Sequence, residues 1–120
     1  MKYEEIINRK IEKITDTIRT YAELRCIKSY VLNFIYYWNI EEKAAEYIRN
    51  EFNVEFKCED IGPYVAYYIS NVEELKEFIL YLYNEYEKDI IEFIIKEMYE
   101  WNYMGYIGYD IIEPEEKENM

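Results

Sequence analysis

The segment INRKIEKITDTIRTYAELRCIKSYVLNFIYYW, residues 7–38, decides the fold of this chain. Its apolar residues recur in steps of three and four, which places them on one face of a helix. They are Ile7, Ile11, Ile14, Ile18, Tyr21, Leu24, Ile27, Val31, Ile35 and Trp38. Two successive steps of three between Tyr21 and Ile27 shift the stripe around the helix, so a bend or break is indicated near residues 20–25. We expect one long helix over about residues 3–37.

The following segment begins with a helix-start signal. Asn39 with Glu42 three residues later has the form of a capping box, in which each side chain binds a free backbone N–H of the first turn. An apolar stripe then follows, formed by Ala44, Ala45, Ile48 and Phe52. The pattern predicts a second helix over about residues 40–52.

The middle of the chain is ambiguous between helix and strand. The stretch VEFKC, residues 54–58, alternates apolar and polar residues like a half-buried strand, but it is short and suits a loop equally well. Pro63 follows Gly62 and fits the first turn of a helix, which predicts a short helix over about residues 63–69. The aromatic and branched residues of that stretch also suit a strand.

A long last helix is expected over about residues 72–103. Ser70 with Glu73, or Asn71 with Glu74, forms a second capping box, and no Gly or Pro follows before Gly105. Projected on a helix, the apolar stripe consists of Leu75, Ile79, Leu82, Tyr86 and Phe93, with Tyr83 and Ile90 at its margin. Tyr81 projects to the opposite side, among acidic residues.

The end of this helix is apolar almost all round. The stretch IIEFIIKEM, residues 90–98, indicates burial between other helices or in an oligomer interface. The interface residues would be Ile91, Ile94, Ile95 and Met98. Residues 105–120 are first aromatic and then acidic, and we interpret them as a C-terminal tail. The sequence therefore predicts an all-α, single-domain helical bundle over residues 1–104, with a short β segment near residues 54–58 as an open alternative.

Several activities are disfavoured by what the sequence lacks. Without histidine, neither a Ser-His-Asp nor a Cys-His site can form. The stretch GYIG, residues 105–108, lacks the Lys and Ser/Thr of a phosphate-binding loop. Carboxylates at helical spacing, Asp89/Glu92 and Glu97/Glu100, lack the histidines that usually complete a metal site in a helical bundle. We expect no enzyme activity, no metal and no cofactor.

The cysteines and the uncharged runs indicate the compartment. Cys26 and Cys58 have no metal-ligand spacing and are interpreted as small buried hydrophobic residues, with a disulfide between them left open. The uncharged runs are too short to span a bilayer, and the first residues, MKYEEIINRK, carry charges where a signal peptide is apolar. We expect a soluble, cytoplasmic protein.

Charge is distributed unevenly along the chain. Residues 1–40 have seven Lys/Arg against five Asp/Glu, whereas residues 41–120 have seven against 21. Such an acidic surface repels phosphates, so we expect neither direct nucleic-acid binding nor membrane binding. The basic residues of the first part are interpreted as the solvated side of the first helix; they are Arg9, Lys10, Lys13, Arg19, Arg25 and Lys28.

The function predicted from this charge is inhibition of a basic partner. Carboxylates would stand in for phosphates in the basic groove of a nucleic-acid-binding protein, and tyrosines would add rigid contact area. The predicted contact residues are Glu73, Glu74, Glu77, Tyr81, Glu85, Glu92, Tyr106, Tyr109, Asp110, Glu113, Glu115 and Glu116. In size and charge alone, the chain resembles small acidic phage proteins that block host nucleases, including CRISPR effectors. The alternative is a homodimeric helical adaptor without an inhibitory role.

Overall fold

Helices make up most of the chain. The structure is a computed structural model that describes residues 2–56, 61–86 and 90–100. Within these ranges it contains α1 Lys2–Thr15, α2 Tyr21–Tyr37, α3 Glu41–Phe52, α4 Ile61–Tyr68, α5 Val72–Tyr86 and α6 Ile90–Glu100. The predicted all-α class is confirmed. Residues 54–56 of the suggested β segment have no regular structure, and residues 57 and 58 lie outside the described ranges.

Helix α2 lies at the centre of the bundle. It packs against α3, α4, α5 and α6, while α1 packs against α5 and α6, and α3 packs against α4. A helix with neighbours on several sides needs apolar residues on more than one face. The buried residues of α2 are Leu24, Ile27, Lys28, Tyr30, Val31, Phe34 and Ile35.

Residues 16–20 separate α1 from α2, so the segment predicted as one long helix over residues 3–37, with a bend or break near residues 20–25, forms two helices whose break lies just before that point. Two threonines bind carbonyl groups at the end of α1: the Thr15 hydroxyl donates to Ile11 O at 2.9 Å, and the Thr17 hydroxyl donates to Ile14 O at 2.7 Å. Thr20 then starts α2, because its hydroxyl accepts from Glu23 N at 3.2 Å and the Glu23 carboxylate accepts from Thr20 N at 2.9 Å. This reciprocal pair is a capping box.

Asn39 ends α2 and does not cap α3, contrary to the capping box predicted from Asn39 and Glu42. Its φ is 55°, a left-handed conformation that asparagine tolerates better than most residues. The N–H of Ile40 donates to Ile35 O at 3.0 Å, and the N–H of Asn39 donates to Tyr36 O at 3.2 Å. These two bonds form a Schellman motif, in which the chain turns and places Ile40 in the core. Ile40 becomes the N-cap residue of α3 without a side-chain cap.

Helix α4 begins two residues earlier than predicted, at Ile61, so Pro63 lies within its first turn, where a backbone N–H is not needed. The helix approaches α2 closely at Gly62. A Cβ atom there would lie 3.1 Å from the Tyr36 hydroxyl oxygen and 3.6 Å from Leu32 Cδ2. Glycine therefore permits this close packing of α4 on α2.

Lys28 is buried, contrary to its interpretation as a solvated residue of the first helix. Only 3% of its surface is exposed. Its ammonium group donates to Ala66 O at 3.0 Å and to Ile69 O at 2.9 Å, at the C-terminal end of α4. It also lies 5.7 Å from the centre of the Tyr21 ring. A cation at a helix C-terminus satisfies unpaired carbonyl groups and opposes the helix dipole, so Lys28 joins α2 to α4.

Asn71 starts α5 and makes one of the two hydrogen bonds of the second predicted capping box, Asn71 with Glu74, while the Glu74 carboxylate binds the neighbouring residue Ser70. The Asn71 side-chain oxygen accepts from Glu74 N at 2.9 Å, and the Glu74 carboxylate accepts from Ser70 N at 3.0 Å. Three residues of the predicted core stripe, Leu75, Ile79 and Leu82, are fully buried, and Phe93 of α6 is half-buried; the side chain of Tyr86 lies outside what the structure describes. Residues 87–89, between α5 and α6, lie outside the described ranges, as do residues 101–103 of the predicted helix.

The apolar residues Ile91, Ile94, Ile95 and Met98 of α6 are buried by the same chain. They have at most 3% of their surface exposed, because α6 packs against α1, α2 and α5. These four residues were predicted as an oligomer interface, and the described bundle does not offer them at its surface. The homodimer and the interface assigned to these four residues stay predictions.

Two further sequence expectations concern the cysteines and membranes. Cys26 is a free thiol and half-buried against the core, while Cys58 lies outside the described ranges. Among the helices that the structure describes, none combines the length and the hydropathy needed to cross a bilayer.

Candidate partner-binding surface

Side chains of α3 and α5 meet along a line that we name the α3–α5 seam, formed by Lys43, Tyr47 and Glu51 of α3 and by Glu74, Glu77, Phe78, Tyr81 and Glu85 of α5. The Tyr47 ring stacks on Phe78 at 5.2 Å and lies 4.5 Å from the Tyr81 ring, measured between ring centres. The Tyr81 hydroxyl donates to Lys43 O at 3.4 Å. Aromatic contacts therefore hold the two helices together at the surface.

Tyr81 was expected to project into solvent among carboxylates, and the structure corrects this placement. Its ring is half-buried and packs against the core beside Tyr47. The projection treated α5 as an isolated helix with one wet side, whereas α3 covers part of that side. Only part of the Tyr81 side chain is accessible, so it offers a partner less contact area than expected.

Carboxylates surround the aromatic pair. Glu51, Glu74 and Glu77 line a small cavity of about 70 Å³ together with Tyr47, Phe52 and Ile69. Further along the seam, Glu85 Oε1 lies 3.7 Å from Lys43 Nζ, with both side chains about 40% exposed. The seam carries four carboxylates against one lysine, so its local charge is negative.

The pKa of Tyr47 is raised by its surroundings in the seam. Burial is the largest cause that raises this pKa, and the carboxylates of Glu51, Glu77 and Glu74, together with Tyr81, also contribute to the value of about 12. A phenol resists ionisation where a second negative charge is unfavourable. Carboxylates from two different helices therefore act together on one point of the surface.

Two of the predicted contact residues are held by local interactions. The Glu74 carboxylate accepts from the Ser70 hydroxyl at 3.2 Å as well as from its N–H, and these two bonds restrict its orientation; the residue is also half-buried. Glu73 is exposed and pairs with Lys76 at 3.4 Å, one turn along the same helix. Glu77 and Glu51 are exposed and remain accessible to a partner.

The structure divides the predicted contact residues into separate groups. Glu74, Glu77, Tyr81 and Glu85 lie together on the seam, and Glu73 is on the same helix. Glu92 lies on α6, where it lines a different groove. Tyr106, Tyr109, Asp110, Glu113, Glu115 and Glu116 lie outside the described residues.

Sequence reasoning missed Tyr47 and Glu51, although a signal was present. Lys43, Tyr47 and Glu51 are spaced four residues apart, which places them on one face of α3. That face does not belong to the buried stripe of Ala44, Ala45 and Ile48. The periodicity of α3 alone does not show which helix lies beside this face, so the contact with α5 could not be predicted.

The chemistry of the seam is suited to binding a cation. Within the part of the chain that the structure describes, no three His, Cys, Asp or Glu side chains are arranged to hold a metal ion. Carboxylates beside rigid aromatic rings instead favour guanidinium and ammonium groups, through charge and through contact with the ring faces. These features define the protein as a small acidic helical bundle with an anionic, aromatic surface.

Comparison with known proteins gives no relative. No family model, no curated protein and no solved structure matches this chain.

Proposed function

We propose that this protein is a non-enzymatic inhibitor that binds a basic, nucleic-acid-processing protein and occupies its nucleic-acid groove. The observation that carries the proposal is the arrangement of the α3–α5 seam, where carboxylates from two helices, Glu51 of α3 and Glu74 and Glu77 of α5, line one cavity beside the ring of Tyr47. A basic groove attracts closely spaced negative charges whether they are phosphates or carboxylates.

The arrangement of the seam supports tight contact as well as attraction. Its aromatic rings are already packed against each other, so little side-chain freedom remains to be lost on binding. Glu74 is oriented by its hydrogen bonds to Ser70. Ordered carboxylates on a rigid helical surface can be matched by fixed cations of a partner at lower entropic cost than carboxylates of a mobile segment.

The test is a pull-down from the lysate of a candidate host cell, with and without nuclease, at about 50 mM and about 500 mM salt, the span over which exposed charges become screened. The bait is compared with the double variant Glu51→Lys/Glu77→Lys. A matched control, Glu5→Lys/Glu12→Lys, makes the same change in net charge at exposed positions of α1. We expect a nuclease-resistant, salt-sensitive partner that the seam variant binds at least about tenfold more weakly and the control binds within about threefold.

Inhibition is tested on the captured partner. We expect the wild-type protein to displace nucleic acid from it, and the seam variant to require about tenfold higher concentration. Equal losses in both double variants would reduce the effect to net charge and contradict a specific surface. A partner that keeps its nucleic acid when saturated with the protein would contradict the inhibitory role.

A further inference from the structure

A second groove lies between the C-terminal end of α2 and helix α6. It is open, has a volume of about 500 Å³, and is lined by Tyr37, Trp38, Glu92, Phe93, Lys96, Glu97 and Glu100. This volume is in the range of sites that accept a large side chain or a short peptide. None of these residues belongs to the α3–α5 seam.

The aromatic side of this groove is exposed but well supported. Tyr37 is 67% exposed and Trp38 is 40% exposed. The two rings meet edge to face at 5.1 Å, and Tyr37 lies 5.9 Å from Phe93. Phe93 in turn packs edge to face on the buried ring of Phe34 at 5.6 Å. The Schellman motif that ends α2 fixes the backbone on which Tyr37 and Trp38 stand.

The other side of the groove is anionic. Glu92, Glu97 and Glu100 lie on α6 with Lys96 among them, which gives three carboxylates to one ammonium group. Glu97 also accepts from the Asn33 amide at 3.4 Å, a contact that links this side of the groove to α2. Phosphate groups are repelled by such a surface, whereas cations are attracted.

Ring faces beside carboxylates favour a flat cation. A guanidinium group stacks on aromatic rings and binds a carboxylate through two parallel hydrogen bonds, and it loses hydration more readily than an ammonium group. We propose that the α2–α6 groove binds an arginine side chain presented by a basic segment of a partner protein. The inference goes beyond the proposed function, because it assigns a second contact surface built from different residues.

The experiment uses the full chain carrying Trp101→Phe, so that Trp38 is its single tryptophan. The probe is an end-blocked glycine peptide with two arginines, compared with the same peptide containing lysines and with a short single-stranded oligothymidylate. We expect a saturable, salt-sensitive change of Trp38 fluorescence with the arginine peptide, and about three- to tenfold weaker binding of the lysine peptide.

Variants locate the binding site. Tyr37→Ala and Glu100→Gln should each lower the affinity for the arginine peptide about three- to tenfold, because each removes one type of contact with the cation. The matched controls, Tyr67→Ala on α4 and Glu12→Gln on α1, also replace exposed residues and should leave its affinity unchanged. Circular dichroism of all four variants should remain that of the parent.

Several results would overturn the inference. They are the absence of saturable binding, equal affinity in the groove variants and the controls, and preference for the oligonucleotide. If the arginine peptide loses affinity only for the Glu51→Lys/Glu77→Lys variant, its binding site is the α3–α5 seam. That result would support the proposed function and contradict arginine binding in the α2–α6 groove. Shielding of Trp38 from a soluble quencher, together with no peptide binding, would indicate that residues 101–120 of the same chain cover the groove.

Discussion

A single lysine connects two helices in the interior of this acidic protein. The ammonium group of Lys28 donates hydrogen bonds to two carbonyl oxygens at the end of α4. Burial lowers the pKa of Lys28, and nearby Arg25 lowers it further, while Glu74 acts in the opposite direction. The side chain therefore carries a desolvation cost that its two hydrogen bonds and the α4 dipole offset.

Replacing Lys28 with methionine should destabilise the protein. The apolar part of the side chain is preserved, but Ala66 O and Ile69 O lose their donor, which we expect to cost about 2–3 kcal/mol. Urea unfolding followed by circular dichroism measures this loss. Lys13→Met, at an exposed position of α1, is the control and should change stability by less than about 0.5 kcal/mol. Equal stability of the two variants would mean that the carbonyl groups are satisfied in another way.

Tyr47 should make the protein sensitive to alkali. Because its pKa in the folded state is about 12, above the ordinary value of 10, the folded protein keeps the proton that the unfolded chain releases. The stability that this group contributes is complete below pH 10 and is lost as pH rises towards 12. A shift of two units corresponds to at most about 2.7 kcal/mol, and we expect about half of this because the ring is partly solvated.

The variant Tyr47→Phe should reduce the fall in unfolding free energy between pH 10 and 12. It should not abolish the fall, since burial also raises the pKa of Tyr30. Lys28 has the opposite effect on the unfolding free energy. Because its pKa is lowered in the folded protein, the unfolded chain binds more protons just below pH 10.5, and stability there rises with pH. Urea titrations at several pH values test this, with Tyr67→Phe as control. A pH profile identical to that of the wild type would contradict the assigned pKa.

At the level of helices, the sequence predicts where helices exist better than where they end. The periodic stripe of residues 7–38 correctly indicated helix and even a weakness in it, but the break lies before residue 21. Thr20 and Glu23 form a capping box, and the start of α2 at this point could have been predicted from these two residues, but the apolar stripe continues through it. Asn39 and Glu42 have the same capping-box spacing, yet Asn39 adopts a left-handed conformation and ends α2. Two equal local signals had opposite outcomes because tertiary packing decided which backbone turn was formed.

Loss of the Thr20 cap should loosen the start of α2. Thr20→Ala removes the acceptor for Glu23 N, and we expect a cost of about 1 kcal/mol. Amide hydrogen exchange should accelerate most in the first turn of α2. Ser29→Ala, at an exposed position in the middle of the same helix, should be neutral or slightly stabilising, because alanine has the higher helix propensity. A similar effect of both changes would show that the cap contributes little.

At the scale of the whole molecule, the all-α class and much of the core followed from periodicity and composition. The α3–α5 seam did not, because Tyr47 and Tyr81 are 34 positions apart and their contact depends on how the helices are arranged. The burial of α6 could not be predicted for the same reason, because residues 90–98 are apolar almost all round, which fits an oligomer interface as well as a buried helix. Only the arrangement of α1, α2 and α5 around them distinguishes these cases.

A charge placed inside α6 should unfold the bundle. Ile94 is fully buried by its own chain, so Ile94→Glu inserts a carboxylate without a partner and should abolish most of the helical circular dichroism. The Ile94→Ala variant should remain folded, but its free energy of unfolding should fall by about 2–5 kcal/mol. Light scattering gives the mass of each variant, with 14.9 kDa expected for one chain. A folded Ile94→Glu variant with half the mass of the wild-type protein would show instead that this residue lies between two chains.

The central position of α2 also makes the chain suitable for division into two fragments. Helix α2 contacts α4, α5 and α6, all of which follow residue 53, so a cut after Asn53 separates it from most of its neighbours. Neither piece retains a complete core, and each should be largely unstructured alone. On mixing, the apolar surfaces of both pieces are buried only in the joint structure, so folding and association become one event. Such a pair would serve as a fragment-complementation reporter whose signal depends on the packing around α2.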